Sequence, residues 1–217
     1  MANGRHTIFS KIRRFLKIPL SEKLNTLEML YYRVKGAQYY RRILNRFGSG
    51  ATLYRPAVLS NPRFLSVGDR TMIGRSAHIE LIPEYASVHY SPKVEIGNDV
   101  YIGPNLYMVC IGSITIGDGS VLSEHVFLHD SNHGFDPARG LIMQQELVGP
   151  GNIVIGRNCF LGFRSAIMPG VTLGDHCIVG VNAVVTKSFP AYSMVAGVPA
   201  VVIKRYSHEE NQWVRVS

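Results

Sequence analysis

The sequence predicts an all-β body, a parallel β-helix of stacked six-residue repeats, with an α-helical segment before it and a short C-terminal helix after it. Two observations carry this. From Ile155 an aliphatic residue recurs every six positions, as Ile155, Leu161, Ile167, Leu173, Val179 and Val185, with Gly following at 156, 162, 174 and 180. Before residue 50 that period is missing, and apolar residues return at helical spacing instead.

The first element, residues 1–50, reads as a basic amphipathic helical segment. Ile8, Phe9, Ile12, Phe15 and Leu16 share one face, with Lys11, Arg13, Arg14 and Lys17 between them. Pro19 breaks this helix, and Ser21 is expected to cap a second one. Leu24, Leu27, Leu30, Tyr31 and Val34, then Tyr40, Ile43, Leu44 and Phe47, face one way before Gly48 and Gly50 end it. Two uses fit such a segment: a cap over the end of the coil, or an interfacial anchor on anionic lipid.

The second element, residues 51–200, is the coil. The period also appears in shorter runs: Val67, Ile73, Ile79; Ile96, Ile102, Met108; Ile116, Leu122, Leu128. Internal repeats of this length mark a parallel β-helix. Three hexapeptides make a coil of about 18 residues, and coils stack at about 4.8 Å. The aliphatic position fills the interior, and Gly lets the backbone turn each corner. The residue four later (Cys159, Ser165, Val171, Cys177, Ala183, Phe189) packs beneath its neighbour. Cys159 and Cys177 should therefore stack inside successive coils. With Cys110 they make an odd count without a CxxC pair, so no disulfide framework is expected.

The repeat breaks in three places. Met108 and Ile116 are eight apart, Pro83–Lys93 is a short insertion, and His129–Asn152 is a long loop of the kind that usually carries function. Residues 201–217 complete the chain as a tail with a short helix.

Charge narrows the function. The net +8 divides into +9 on residues 1–47, with Glu22 and Glu28 as their acids, and −1 on the rest. A neutral body with no basic stripe is not a nucleic-acid-binding domain. No apolar run reaches the roughly 18–20 residues of a membrane span. Residues 1–20 do not have the form of a signal peptide, so a cytoplasmic protein is expected.

The long loop opens with His129-Asp130-Ser131-Asn132-His133-Gly134-Phe135-Asp136-Pro137. Together with Ile167-Met168-Pro169-Gly170-Val171-Thr172-Leu173-Gly174, Val184-Val185-Thr186-Lys187 and Val195-Ala196-Gly197-Val198-Pro199-Ala200, it resembles the hexapeptide-repeat O-acetyltransferases. The likeness is to the maltose and galactoside group and the polysaccharide and lipopolysaccharide branch near it, over residues 65–205. It implies a left-handed coil, a homotrimer with active sites between subunits, and acetyl-CoA as donor.

Acetyl transfer from a thioester needs no metal. It needs a base for the acceptor hydroxyl and donors for the oxyanion. Imidazole, with a pKa of about 6.5, suits the first task. The resemblance assigns His133 as general base. Asp130 is placed to orient its ring, and Asn132 to hold the loop or meet the acceptor. His125 and His129 read as bystanders. Coenzyme contacts implied by position are Phe160, Gly162, Phe163, Ser165, Gly180, Val181, Thr186, Lys187 and Lys204, with Arg164 beside them. The sugar-contacting Asn and Asp of the maltose and galactoside enzymes are replaced here by Gly103 and Ile111, and a family Arg by Val201. These departures turn the expected acceptor from a small free sugar to a surface glycan or a lipid-linked or nucleotide-linked precursor. An antibiotic acetyltransferase, a gamma-class carbonic anhydrase using His125, His129 and His133, and a scaffold without activity are the competing readings.

Overall fold

The computed structural model describes residues 15, 17–149 and 151–216. The helix expected around Ile8–Leu16 therefore lies almost wholly outside the described residues. The second helix, α1, spans Leu20–Lys35. Its N-cap is Pro19, not Ser21. Proline's fixed φ of −55° with ψ 156° sets the chain for entry, and the Pro19 carbonyl accepts the Lys23 N–H at 3.0 Å. The helix continues through a π-helical turn, Gly36–Tyr40, and ends at Arg41–Ile43. Phe47 is not helical: Arg46–Phe47 is the first strand of the coil, paired with Ser66 and Val67.

Three faces of parallel strands wind around one apolar core. The first runs Arg46–Phe47, Leu65–Val67, Lys93–Ile96, Ser113–Ile116, Ile153–Ile155, Thr172–Leu173. The second runs from Thr52–Leu53 to Ile178–Val179 and Ser193–Gly197, and the third from Val58–Ser60 to Val184–Val185. Every residue of the six-fold series from Ile155 to Val185 is buried. So are the residues four later, including Cys159 and Cys177, which stack in register beside the paired strands Phe160–Leu161 and Ile178–Val179. Both thiols are free.

The coils are of two sizes. Ile155 pairs with Leu173, eighteen residues on, but Phe47 pairs with Val67 and Ile102 with Leu122, twenty on. The two extra residues fall where the third face turns into the first, which is the eight-residue step from Met108 to Ile116. Both insertions leave from this corner. The shorter is an antiparallel hairpin, Glu84–Tyr85 with Val88–His89. The longer carries Asn132–His133 paired with Leu147–Val148.

The corner glycines serve a purpose other than the expected one. Gly68 and Gly97 do not take left-handed backbone; their neighbours Arg70 (φ 56°) and Asp99 (φ 55°) do. What glycine supplies is space, because a side-chain carbon on Gly68 would overlap the Gly97 carbonyl of the next coil. Both atoms belong to stacked backbone and have nowhere to move. Gly68→Ala is expected to lower stability by about 1–3 kcal/mol, read as a drop in the thermal midpoint.

The C-terminal residues form strands, not the expected helix. Ala200–Ser207 runs antiparallel to Ser193–Gly197 and to Gln212–Arg215. Exposure alternates along Val201-Val202-Ile203-Lys204-Arg205-Tyr206, the period of a strand lying on a body. Among the described residues no helix is long and apolar enough to cross a membrane.

Candidate active site

Because both insertions leave one corner, they pack on one another above the outer side of the third face. Between them lies a cavity of about 450 Å³ bordered by Asn61, Glu80, Tyr85, Tyr107, His129 and His133, among others. His133 reaches it from the two-residue strand paired with Leu147–Val148. Its ring is half-buried and lies edge-on to Tyr85, with centroids 5.4 Å apart. Among the described residues its Nδ1 is buried without a hydrogen-bond partner. His129 borders the same cavity. Burial pushes its pKa down, which favours the neutral ring, and Ser131 Oγ lies 3.5 Å from its Nε2.

Asp130 does not take the role expected of it. It is fully buried, and its two oxygens accept the backbone N–H groups of Ile111 (2.9 Å) and Gly112 (2.8 Å). A carboxylate spent on those donors fixes the turn at 110–112 under the loop and makes no hydrogen bond to the His133 ring. The nearby Cys110 thiol is pushed well above its usual range, by burial first and then by the Asp130 charge, so it stays protonated. Asn132 is exposed on the same short strand as His133.

The residues expected to meet coenzyme gather elsewhere, and none borders this cavity. Phe160, Val181, Thr186 and Lys187 are exposed on the last coils. Gly162 lies beneath Gly180, and a side chain on Gly162 would come within 2.8 Å of the Val179 carbonyl and the Val181 N–H. Phe163 sits at a corner, edge-on to His125 at 5.4 Å and under the Arg164 guanidinium at 5.2 Å. Lys187 Nζ is 5.8 Å from the Phe189 ring, and Lys204 is half-buried on a C-terminal strand opposite Met194. Ser165 points inward: it is fully buried, its Oγ has no partner among the described residues, and it fills the small interior position rather than facing a ligand. His125 takes left-handed backbone at a corner (φ 58°) with its Nε2 3.3 Å from Asn105 Nδ2, so the three histidines are not brought together.

This chain matches the family model described as hexapeptide repeat of succinyl-transferase over residues 93–127 and 152–187. It is 29% identical over 164 residues to a putative lipopolysaccharide biosynthesis O-acetyl transferase of Escherichia coli K12, covering 73% of this chain and 80% of that one. It is 31% identical over 141 residues to the galactoside O-acetyltransferase of the same organism, covering 65% and 66%. The chain carries hexapeptide repeats and is similar to O-acetyltransferases over about two thirds of its length. In fold it is also similar to an N-acyltransferase from Bacillus cereus solved with dTDP and 3-hydroxybutyryl-CoA, with a TM-score of 0.65 at 18% identity over 80% of this chain and 89% of that one.

Three residues that shape the cavity carry no motif. Tyr85 Oη donates to the Met143 carbonyl at 2.7 Å, and Tyr90 Oη both accepts from the Leu147 N–H (2.9 Å) and donates to its carbonyl (3.0 Å). Together they staple the hairpin to the loop that holds His133. Buried Gln145 ties that loop to itself, accepting from the Asp136 N–H and donating to the Asp136 and Gly140 carbonyls. The signal for the two tyrosines was the Pro83–Lys93 insertion, which interrupts the coil at the same corner as the long loop.

Proposed function

We propose that the protein transfers the acetyl group of acetyl-CoA to a hydroxyl of a bacterial surface-glycan sugar or its precursor, with His133 as general base. The observation that carries this is His133 set in a partly apolar cavity large enough for a sugar ring. Neutral imidazole takes the acceptor hydroxyl's proton as that oxygen attacks the thioester carbonyl. Collapse of the tetrahedral adduct releases CoA and leaves an O-acetyl ester. Burial of the neighbouring His129 lowers its pKa and so favours the uncharged ring beside the base.

The separation of His133 from Phe160, Phe163, Val181, Thr186 and Lys187 supports active sites between subunits of a homotrimer. One chain's loop would supply the base, and another's coil corners would hold the coenzyme. The cavity's charged lining is Glu80 and Glu84, with no Lys or Arg among its residues. That favours a neutral acceptor sugar over a uronic or sialic acid. Working in the cytoplasm, the trimer would meet lipid-linked acceptors through peripheral membrane contact by residues 1–47.

The test is acceptor-dependent CoA release, followed with a thiol-reactive dye. All three protein cysteines are buried and free, so the dye reads released coenzyme over a low protein background. Release is expected with acetyl-CoA plus neutral glycan fragments and not with acetyl-CoA alone. No release with any hydroxylated glycan, nucleotide sugar or lipid-linked sugar would refute the reading.

A further inference from the structure

Helix α1 lies on the coil by its polar side. Glu28 pairs with Arg75, the Arg33 Nε donates to Thr52 Oγ1 at 3.4 Å, and the Tyr32 ring packs on Tyr54 at 5.2 Å between centroids. At its end Gly36 is buried against the Phe47 ring. The leucines of the predicted apolar face therefore point away from the coil. Leu20 is 71% exposed, Leu24 58%, Leu27 52%, Tyr31 60% and Val34 49%, and no residue of α1 is buried. At spacings of four and three these five form one stripe along the whole outer side of the helix. A soluble domain gains nothing from this arrangement, since a helix normally buries its apolar face and exposes its polar one.

Charge decides between occupants. Lys23 and Lys35 flank the stripe, Arg41 and Arg42 follow it, and residues 1–14 carry Arg5, Lys11, Arg13 and Arg14 with no acid. A parallel second copy of this helix would set Lys23 and Lys35 against their own equivalents. A seam of two heptads is also short for a coiled coil, which needs about three or four. An anionic surface meets both the stripe and its flanks.

We propose that the outward stripe Leu20, Leu24, Leu27, Tyr31 and Val34 enters the headgroup–acyl boundary of an anionic bilayer, with Lys23 and Lys35 on lipid phosphates. This deepens the peripheral contact proposed for residues 1–47 by naming the surface that makes it. The catalytic assignment does not enter into it. Docked in this way, α1 lies in the membrane plane with the coil beneath it.

The test is flotation of the full-length protein with phosphatidylglycerol/phosphatidylcholine vesicles and with phosphatidylcholine alone. The wild-type chain is expected to bind only the anionic vesicles. The double variant Leu24→Glu/Leu27→Glu is expected to lose that binding by about tenfold or more, with its mass in solution, thermal midpoint and CoA release on a soluble acceptor unchanged. Equal binding by wild type and double variant overturns the proposal. If binding falls instead in Lys11→Gln/Arg13→Gln/Arg14→Gln alone, membrane contact stands but belongs to the first residues and not to the stripe. A fall in oligomer mass in the double variant overturns it too, because the stripe is then an interface between copies of this chain.

Discussion

His133→Ala should lower kcat/KM for glycan acetylation by about 10² or more while leaving fold and thermal midpoint unchanged. The two halves of that expectation have different origins. A base positioned in the transition state contributes roughly 10²–10⁴ in rate, and alanine removes all of it. Stability should hold because His133 Nδ1 has no hydrogen-bond partner among the described residues, so the variant discards a buried orphan atom and breaks no bond. The ring's apolar contact with Tyr85 is the remaining loss, and at a half-buried edge-on contact it is small. His129→Ala is the matched control, since it removes a second imidazole from the same cavity. It should cost far less in rate if His133 takes the proton. Full activity in His133→Ala would remove it as the base, and a collapse of activity only in His129→Ala would transfer the role.

How much of this was legible differs from element to element. The coil was, because each interior position from Ile155 to Val185 must be aliphatic and the period leaves no other fold. The corner carrying both insertions was not, since a repeat announces where it stops but not which way the excess chain leaves. Tyr85 and Tyr90 meet the loop only through that shared corner, which is a property of coil stacking and not of neighbouring sequence. The apolar stripe of α1 was legible as a stripe, but the side it would take was not. Periodicity shows that Leu20, Leu24 and Leu27 share a face, while Glu28, Tyr32 and Arg33 settle which face the coil takes. The tail's strand was not readable from alternation, because Val202, Lys204 and Tyr206 on one side and Val201, Ile203 and Arg205 on the other each mix apolar with charged residues, and the period of two is in their exposure alone.

Asp130→Ala is expected to destabilise the protein by about 3–5 kcal/mol, enough to lower the thermal midpoint by many degrees. The carboxylate is fully buried and satisfies two backbone donors, Ile111 N–H and Gly112 N–H. Each donor left unpaired costs about 1–3 kcal/mol, and the hydrogen bonds lost are the stronger kind made to a charged acceptor. Asp130→Asn should fall between, because an amide keeps one acceptor oxygen and turns an N–H₂ toward a backbone donor that cannot accept it. The motif spacing places Asp130 three residues before the base and invites a different role, a carboxylate orienting the imidazole. The two roles separate experimentally. A carboxylate bound to the ring would raise the pKa of the imidazolium, so its loss would move the acid limb of the kcat/KM profile to lower pH. A carboxylate that organises the 110–112 turn leaves that limb in place and lowers the fraction of folded enzyme. Asp130→Asn is therefore expected to melt earlier, with its pH–rate limb where the wild type has it. A shifted limb at unchanged stability would restore Asp130 to the ring.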